Sequence, residues 1–190
     1  IDGLNNEISA IVKERYPKTA IANNIKAQVS EISRSMLGIL IMTDAGQIKA
    51  ELAAIDKVSV ANNESITKLD QILTDEQGRA QLKTIVEIRD KFRPLQQTFV
   101  TLVNDDKKDE AQLKYLFSVR AVQTKYLAAL DKFVATQHAA MEAAGAASTV
   151  QAERTVNDRK VLDVVAGRRR VSGADKIRVV EAIELGLKRG

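Results

Sequence analysis

From Leu116 to Phe133 the apolar positions follow a helical period that is interrupted midway. Leu116, Val119, Gln123, Tyr126, Leu130 and Phe133 recur at alternating steps of three and four, which sets them on one face of a helix. Gln123 and Tyr126 are polar or half-polar, and Arg120 lies beside them one turn earlier. An unpaired polar group on a buried face costs on the order of 1–3 kcal/mol, so such an interruption requires a partner. Arg120, Gln123, Thr124 and Tyr126 together have the make-up of a group that recognises an anion. The competing reading is a satisfied polar network that fixes helix register.

Three other stripes precede this one. The first pattern runs from Leu4 to Met42, with a kink or start at Tyr16-Pro17. In it Ile25, Val29, Ile32, Met36 and Ile39 form the main stripe, and Leu37, Leu40 and Ile41 add apolar surface on other sides. A helix apolar nearly all round is buried on more than one side, and in a four-helix bundle the simplest second cover is a partner subunit. Arg34, one heptad before Ile41, faces that partner. The second stripe is Ile48, Leu52, Ile55, Ser59, Asn62, Ile66, Leu69 and Leu73, polar in the middle at Ser59 and Asn62. The third is Ile85, Ile88, Phe92, Leu95, Phe99 and Leu102, flanked by Arg89 and Gln96, with Pro94 on the opposite side.

The joints have their own signals. Asp44 with Gln47, and Thr74-Asp75-Glu76-Gln77, have the spacing of capping boxes, and Asp109 is placed to cap a fourth helix. That helix is expected to run to Ala147, Ala-rich and weakly patterned after Phe133. Four long patterns with short turns predict an all-α protein, an antiparallel up-down-up-down four-helix bundle with long helices. In that topology Arg34 and Arg93 lie about ten residues from the turns at one end, and Arg120 about eleven; Ser59 and Arg89 lie about fourteen away. At 1.5 Å per residue, polar interruptions from all four helices share a level roughly 15–25 Å from that end.

Composition narrows the classes. The 190 residues suit one principal domain, and the absence of cysteine excludes disulfides and thiolate metal sites. Residues 151–190 carry ten Lys/Arg against six Asp/Glu, the whole net charge of +4, so the body is neutral and loses its case for nucleic acid. No stretch approaches the roughly 18–20 apolar residues of a membrane span, and the start shows no charged leader before an apolar core, so the chain reads as soluble. His138 is the single histidine and cannot build a metal site. There is no carboxylate pair placed for acid–base work, no serine with a histidine partner and no Gly-rich phosphate loop. Neither an enzyme nor a cofactor is expected. Residues 1–149 form the bundle. Residues 150–190 read as a basic tail, non-native or vector-derived, in which Asp175 to Leu187 would form a short amphipathic helix and Arg168-Arg169-Arg170 is a solvated charge run.

Several segments resemble a known family. They are Asn5-Asn6-Glu7-Ile8, then Tyr16-Pro17, then Val29-Ser30-Glu31-Ile32-Ser33-Arg34-Ser35-Met36-Leu37, and the Thr43-Asp44-Ala45 turn. The Leu73-Thr74-Asp75-Glu76-Gln77 joint and the Asn104-Asp105-Asp106 turn complete the set. In order and spacing, over residues 2–147, they resemble the four-helix-bundle ligand-binding domain of bacterial methyl-accepting chemotaxis proteins. The resemblance implies a periplasmic sensor flanked by membrane helices absent from this chain, a homodimer through the first helix (a larger assembly stays open), and no nucleic acid. It also implies an amino acid or a small organic acid as ligand; two or three arginines at one level favour a di- or tricarboxylate such as malate or citrate, because arginine forks bind carboxylates bidentately. By position Arg34 and the Arg120–Tyr126 cluster match the family's binding places. With them Ser59, Asn62, Arg89 and Arg93 complete the candidate ligand set of Arg34, Ser59, Asn62, Arg89, Arg93, Arg120, Gln123, Thr124 and Tyr126. Two alternatives remain, the sensor domain of a histidine kinase and a ligand-free helical interaction module.

Overall fold

The computed structural model describes residues 16–168, with side chains as far as 157 except at 148. Three long helices, α1 (Tyr16–Ile41), α2 (Ala45–Ile72) and α3 (Glu76–Asn104), are joined by short turns. The fourth rod is composite: α4 (Lys108–Lys114), a π-helical turn (Tyr115–Val119) and α5 (Arg120–Arg168). α1 packs against α2 and α5, and α3 packs against the fourth rod, while α2 and α3 touch only lightly. The result is the expected antiparallel four-helix bundle, with α2 and the fourth rod on one of its diagonals.

The stripes of α1 and α2 turn inward largely as their spacing predicts: Ile25, Val29, Ile32, Met36 and Ile39 are buried, as are Ile55, Asn62, Ile66, Leu69 and Leu73. On α3 the buried line is rotated. Leu82, Ile85, Phe92, Gln96 and Phe99 are buried, while Ile88 and Leu95 are only half-buried. Gln96 tolerates the inward position because its amide donates to Ser59 Oγ on α2 at 2.6 Å. Pro94 is exposed, and α3 continues through it.

Two of the three expected caps move. Asp44 caps α2 through Gln47 N at 2.7 Å, as the spacing predicts. For α3 the cap is Asp75 rather than Thr74, accepting from Gly78 N at 2.7 Å. A Cβ on Gly78 would lie 2.8 Å from Asp75 Oδ2, so the glycine lets this carboxylate close over the helix end. At the next joint α3 ends in a pair of bonds, Lys107 N to Leu102 O (2.8 Å) and Asp106 N to Val103 O (3.1 Å), with Asp106 at φ 60°. That closure starts α4 at once. Its N-cap is Lys107, without a side-chain bond, and Asp109 falls in the first turn, where its charge favours the helix dipole.

The fourth rod departs from the sequence reading at both ends. The π-helical turn adds a residue to one turn, so Ala111, Tyr115 and Val119 face the core while Leu116 is 44% exposed. At the other end α5 does not stop near Ala147 but continues to Arg168. Alanine-rich sequence without proline has high helix propensity, and Gly145 alone is too weak a breaker. Residues 150–168 of the expected tail are therefore helix. Residues 1–15, Arg169, Arg170 and the Asp175–Leu187 segment lie outside the described residues. Among the described residues no helix is long and apolar enough to cross a membrane.

Candidate ligand site and the buried polar layer

Of the nine candidate residues, the bundle turns some inward and some outward. Tyr126 is fully buried, its ring edge-on to Phe92 at 5.9 Å between centroids. Its hydroxyl crosses the core to donate to Asn62 Oδ1 on α2 at 3.0 Å. The Asn62 amide then donates to Gln28 Oε1 on α1 at 3.3 Å. Gln28 Nε2 and Asn24 Nδ2 both donate to Ser65 Oγ, at 3.1 and 3.2 Å, and Ser65 donates to Ala61 O at 2.9 Å. One directed chain of hydrogen bonds thus links α5, α2 and α1, and Ser59–Gln96 adds a bond from α2 to α3. The level at which the polar interruptions were expected to meet is real for this inner set.

Burial pushes the Tyr126 phenol well above its ordinary value, against the opposing charge of nearby Arg89 and the bond to Asn62. Arg89 is half-buried and pairs with Asp90 on its own helix at 2.9 Å. Nearer the turn end, Tyr115 sits on the π-helical turn, edge-on to Phe99 at 6.4 Å, and donates to Gln123 Oε1 at 3.4 Å. Burial raises its pKa too, opposed by Arg120 and by the neighbouring Ser33 hydroxyl. Ser33 Oγ is itself buried and finds no well-aligned partner.

The other candidates point out. Arg34, Arg93, Arg120 and Thr124 are exposed, and Thr124 Oγ1 bonds only to Arg120 O one turn back on its own helix. Asp131 pairs with Lys26 of α1, and Thr124 lies one heptad before Asp131, so Thr124 and Arg120 follow the outer edge of the α1–α5 seam. Arg34 lies on the outward face of α1 with Leu37 (47% exposed) and Ile41 (84%). The structure therefore divides the nine. Ser59, Asn62 and Tyr126 bond within the bundle; Gln123 accepts from Tyr115; Arg89 pairs with Asp90; Arg34, Arg120 and Thr124 lie on the α1/α5 exterior, and Arg93 is exposed on α3. A surface cleft between α2 and α3, lined by Thr67, Asp70, Arg79 and Lys83 among others, contains none of them.

The sequence reading missed Asn24, Gln28, Ser65 and Tyr115. Asn24 and Gln28 are spaced by four immediately before Ile25 and Val29, which placed two amides beside the core stripe, and Ser65 does the same beside Ile66. Tyr115 gave no such signal, because its inward position depends on the π-helical turn.

The fold is a long antiparallel four-helix bundle with a hydrogen-bonded polar layer across its middle. A family model described as a four helix bundle sensory module for signal transduction matches residues 1–152. The chain belongs to this family, the sensory module of methyl-accepting chemotaxis proteins. No curated protein matches it.

Proposed function

We propose that the chain is the extracytoplasmic sensor of a chemotaxis receptor that binds a small di- or tricarboxylate between two copies of the bundle. The observation that carries this reading is the outward placement of Arg34 and Arg120 with Thr124, on adjacent helices and away from the satisfied interior. None of the three needs a partner inside the fold, and a carboxylate bridging such arginines gains charge-assisted, bidentate bonds. The exposed Leu37 and Ile41 beside Arg34 supply apolar area for a homodimer through α1. Ligand held there biases the position of α5 against α1, and only differential affinity for two packings transmits that bias across the membrane.

For Asn62, Ser59 and Tyr126 a second reading is favoured by their hydrogen bonds: they set helix register rather than touch ligand. The test is a thermal-shift screen of small organic acids, followed by calorimetric titration and sedimentation with and without the best hit. Ligand at a hundred times Kd adds about 2.7 kcal/mol, a shift of several degrees. The expected result is a dicarboxylate or tricarboxylate hit, lost in Arg120→Ala with the fold intact. A flat response to every acid rejects the carboxylate reading.

A further inference from the structure

The α4 segment is placed by the π-helical turn, and the sequence pattern fits a second placement. Read as continuous α-helix back from Val119, the core-facing positions are Leu116, Gln112 and Asp109. The π-helical turn shifts this by one residue and buries Tyr115 and Ala111 instead, with Lys108 half-buried one turn earlier. Each placement has one large core residue, Leu116 or Tyr115. The observed one leaves Leu116 exposed and the Ser33 hydroxyl beside Tyr115 without a well-aligned hydrogen bond, and its Tyr115–Gln123 bond is long at 3.4 Å. In its favour are the small Ala111 in place of Gln112, the Tyr115–Phe99 contact and the bond from Lys108 to Met42 O.

We propose that 108–119 is a two-register element, switching between this π-register and a continuous α-helix in which Leu116 replaces Tyr115 in the core. The switch rotates the segment by about 100° and moves it by about 1.5 Å along its axis. Tyr115, Lys108 and Leu116 exchange environments together, so α1 and α3 both sense the register, through Met42 and Phe99. The register change needs no ligand and none of the arginines.

The chain has no cysteine, so a single Leu116→Cys reports the register by its rate of thiol modification. Position 116 is exposed and Gln112 is exposed, so neither substitution strains the observed fold. Gln112→Leu places a leucine in the core only in the α-register. It is expected to slow modification at 116 by up to about 10- to 100-fold, the factor by which burying one leucine shifts the register equilibrium, with helicity unchanged. Deleting Ser118 removes the extra residue while keeping Tyr115 and Ala111 inward, so modification at 116 stays fast even with Gln112→Leu. Equal, fast modification at 116 with and without Gln112→Leu, in proteins of unchanged circular dichroism, overturns the proposal. Slowing that persists after Ser118 is deleted overturns it as well.

Discussion

Tyr126 donates to Asn62 Oδ1 at 3.0 Å across the diagonal of the bundle, between rods that are not packed neighbours. A ring long enough to span the core thereby positions α5 against α2 directly. Tyr126→Phe keeps the ring against Phe92 and leaves Asn62 Oδ1 buried without its donor. The expected loss is about 1–3 kcal/mol in urea unfolding. Combined with Asn62→Leu, the loss is less than the sum of the two, because each removes the same bond.

The phenols give the bundle an alkaline limit. Tyr126 and Tyr115 both titrate above the ordinary value of 10.0 because burial disfavours the phenolate. Below that pH folded and unfolded chains hold the same phenol protons, and the stabilisation is fully present. Above it the unfolded chain releases protons that the folded chain retains, so stability falls as pH rises. Thermal midpoints measured from pH 8 to 11 should drop less steeply in Tyr126→Phe than in the parent.

How much of this was legible beforehand depends on the range of the interaction. Local period found Ile25 to Ile39 and placed Ser59, Asn62 and Tyr126 at a shared depth, since 1.5 Å per residue needs no knowledge of neighbours. It failed at Leu116, where packing chose a five-residue turn that period alone does not encode. It also grouped Arg120 and Thr124 with Tyr126, although residues six and two positions away lie well round the helix from it. Asp109 lost its capping role to the closure around Asp106, an event on the preceding helix.

Asp44 and Asp75 are matched caps in unlike settings, and the difference is measurable. Both accept a backbone N–H at 2.7 Å. Asp75 also faces Lys18, whose side chain is 8% exposed, at 3.6 Å. Asp44→Ala should cost about 0.5–2 kcal/mol, the value of a cap. Asp75→Ala should cost more, because Lys18 is left buried without its partner. Denaturant midpoints of the two variants decide this, and Lys18→Met should narrow the gap.

Two positions offer stabilisation. Asp106 holds φ at 60°, where a β-carbon is disfavoured, and Asp106→Gly relieves it. Gly145 lies in α5 with nothing within 4 Å of an added Cβ, so Gly145→Ala gains helix propensity. Each should raise stability by about 0.5–1 kcal/mol, read as a higher thermal midpoint. Gly78→Ala should lower it, since its Cβ would meet Asp75 and Leu73.

The light contact between α2 and α3 gives the bundle a compliant side. The side-chain links across it are sparse among the described residues: Ser59–Gln96 within the bundle, and Arg79–Asp70 at 3.5 Å on the surface. α1 and α2, by contrast, are fastened by Asn24, Gln28, Asn62 and Ser65. Force applied along the fourth rod therefore follows a stiff path into α1 and α2, and the α2–α3 seam yields first. Mechanically the molecule is two hairpins sharing one closed spine.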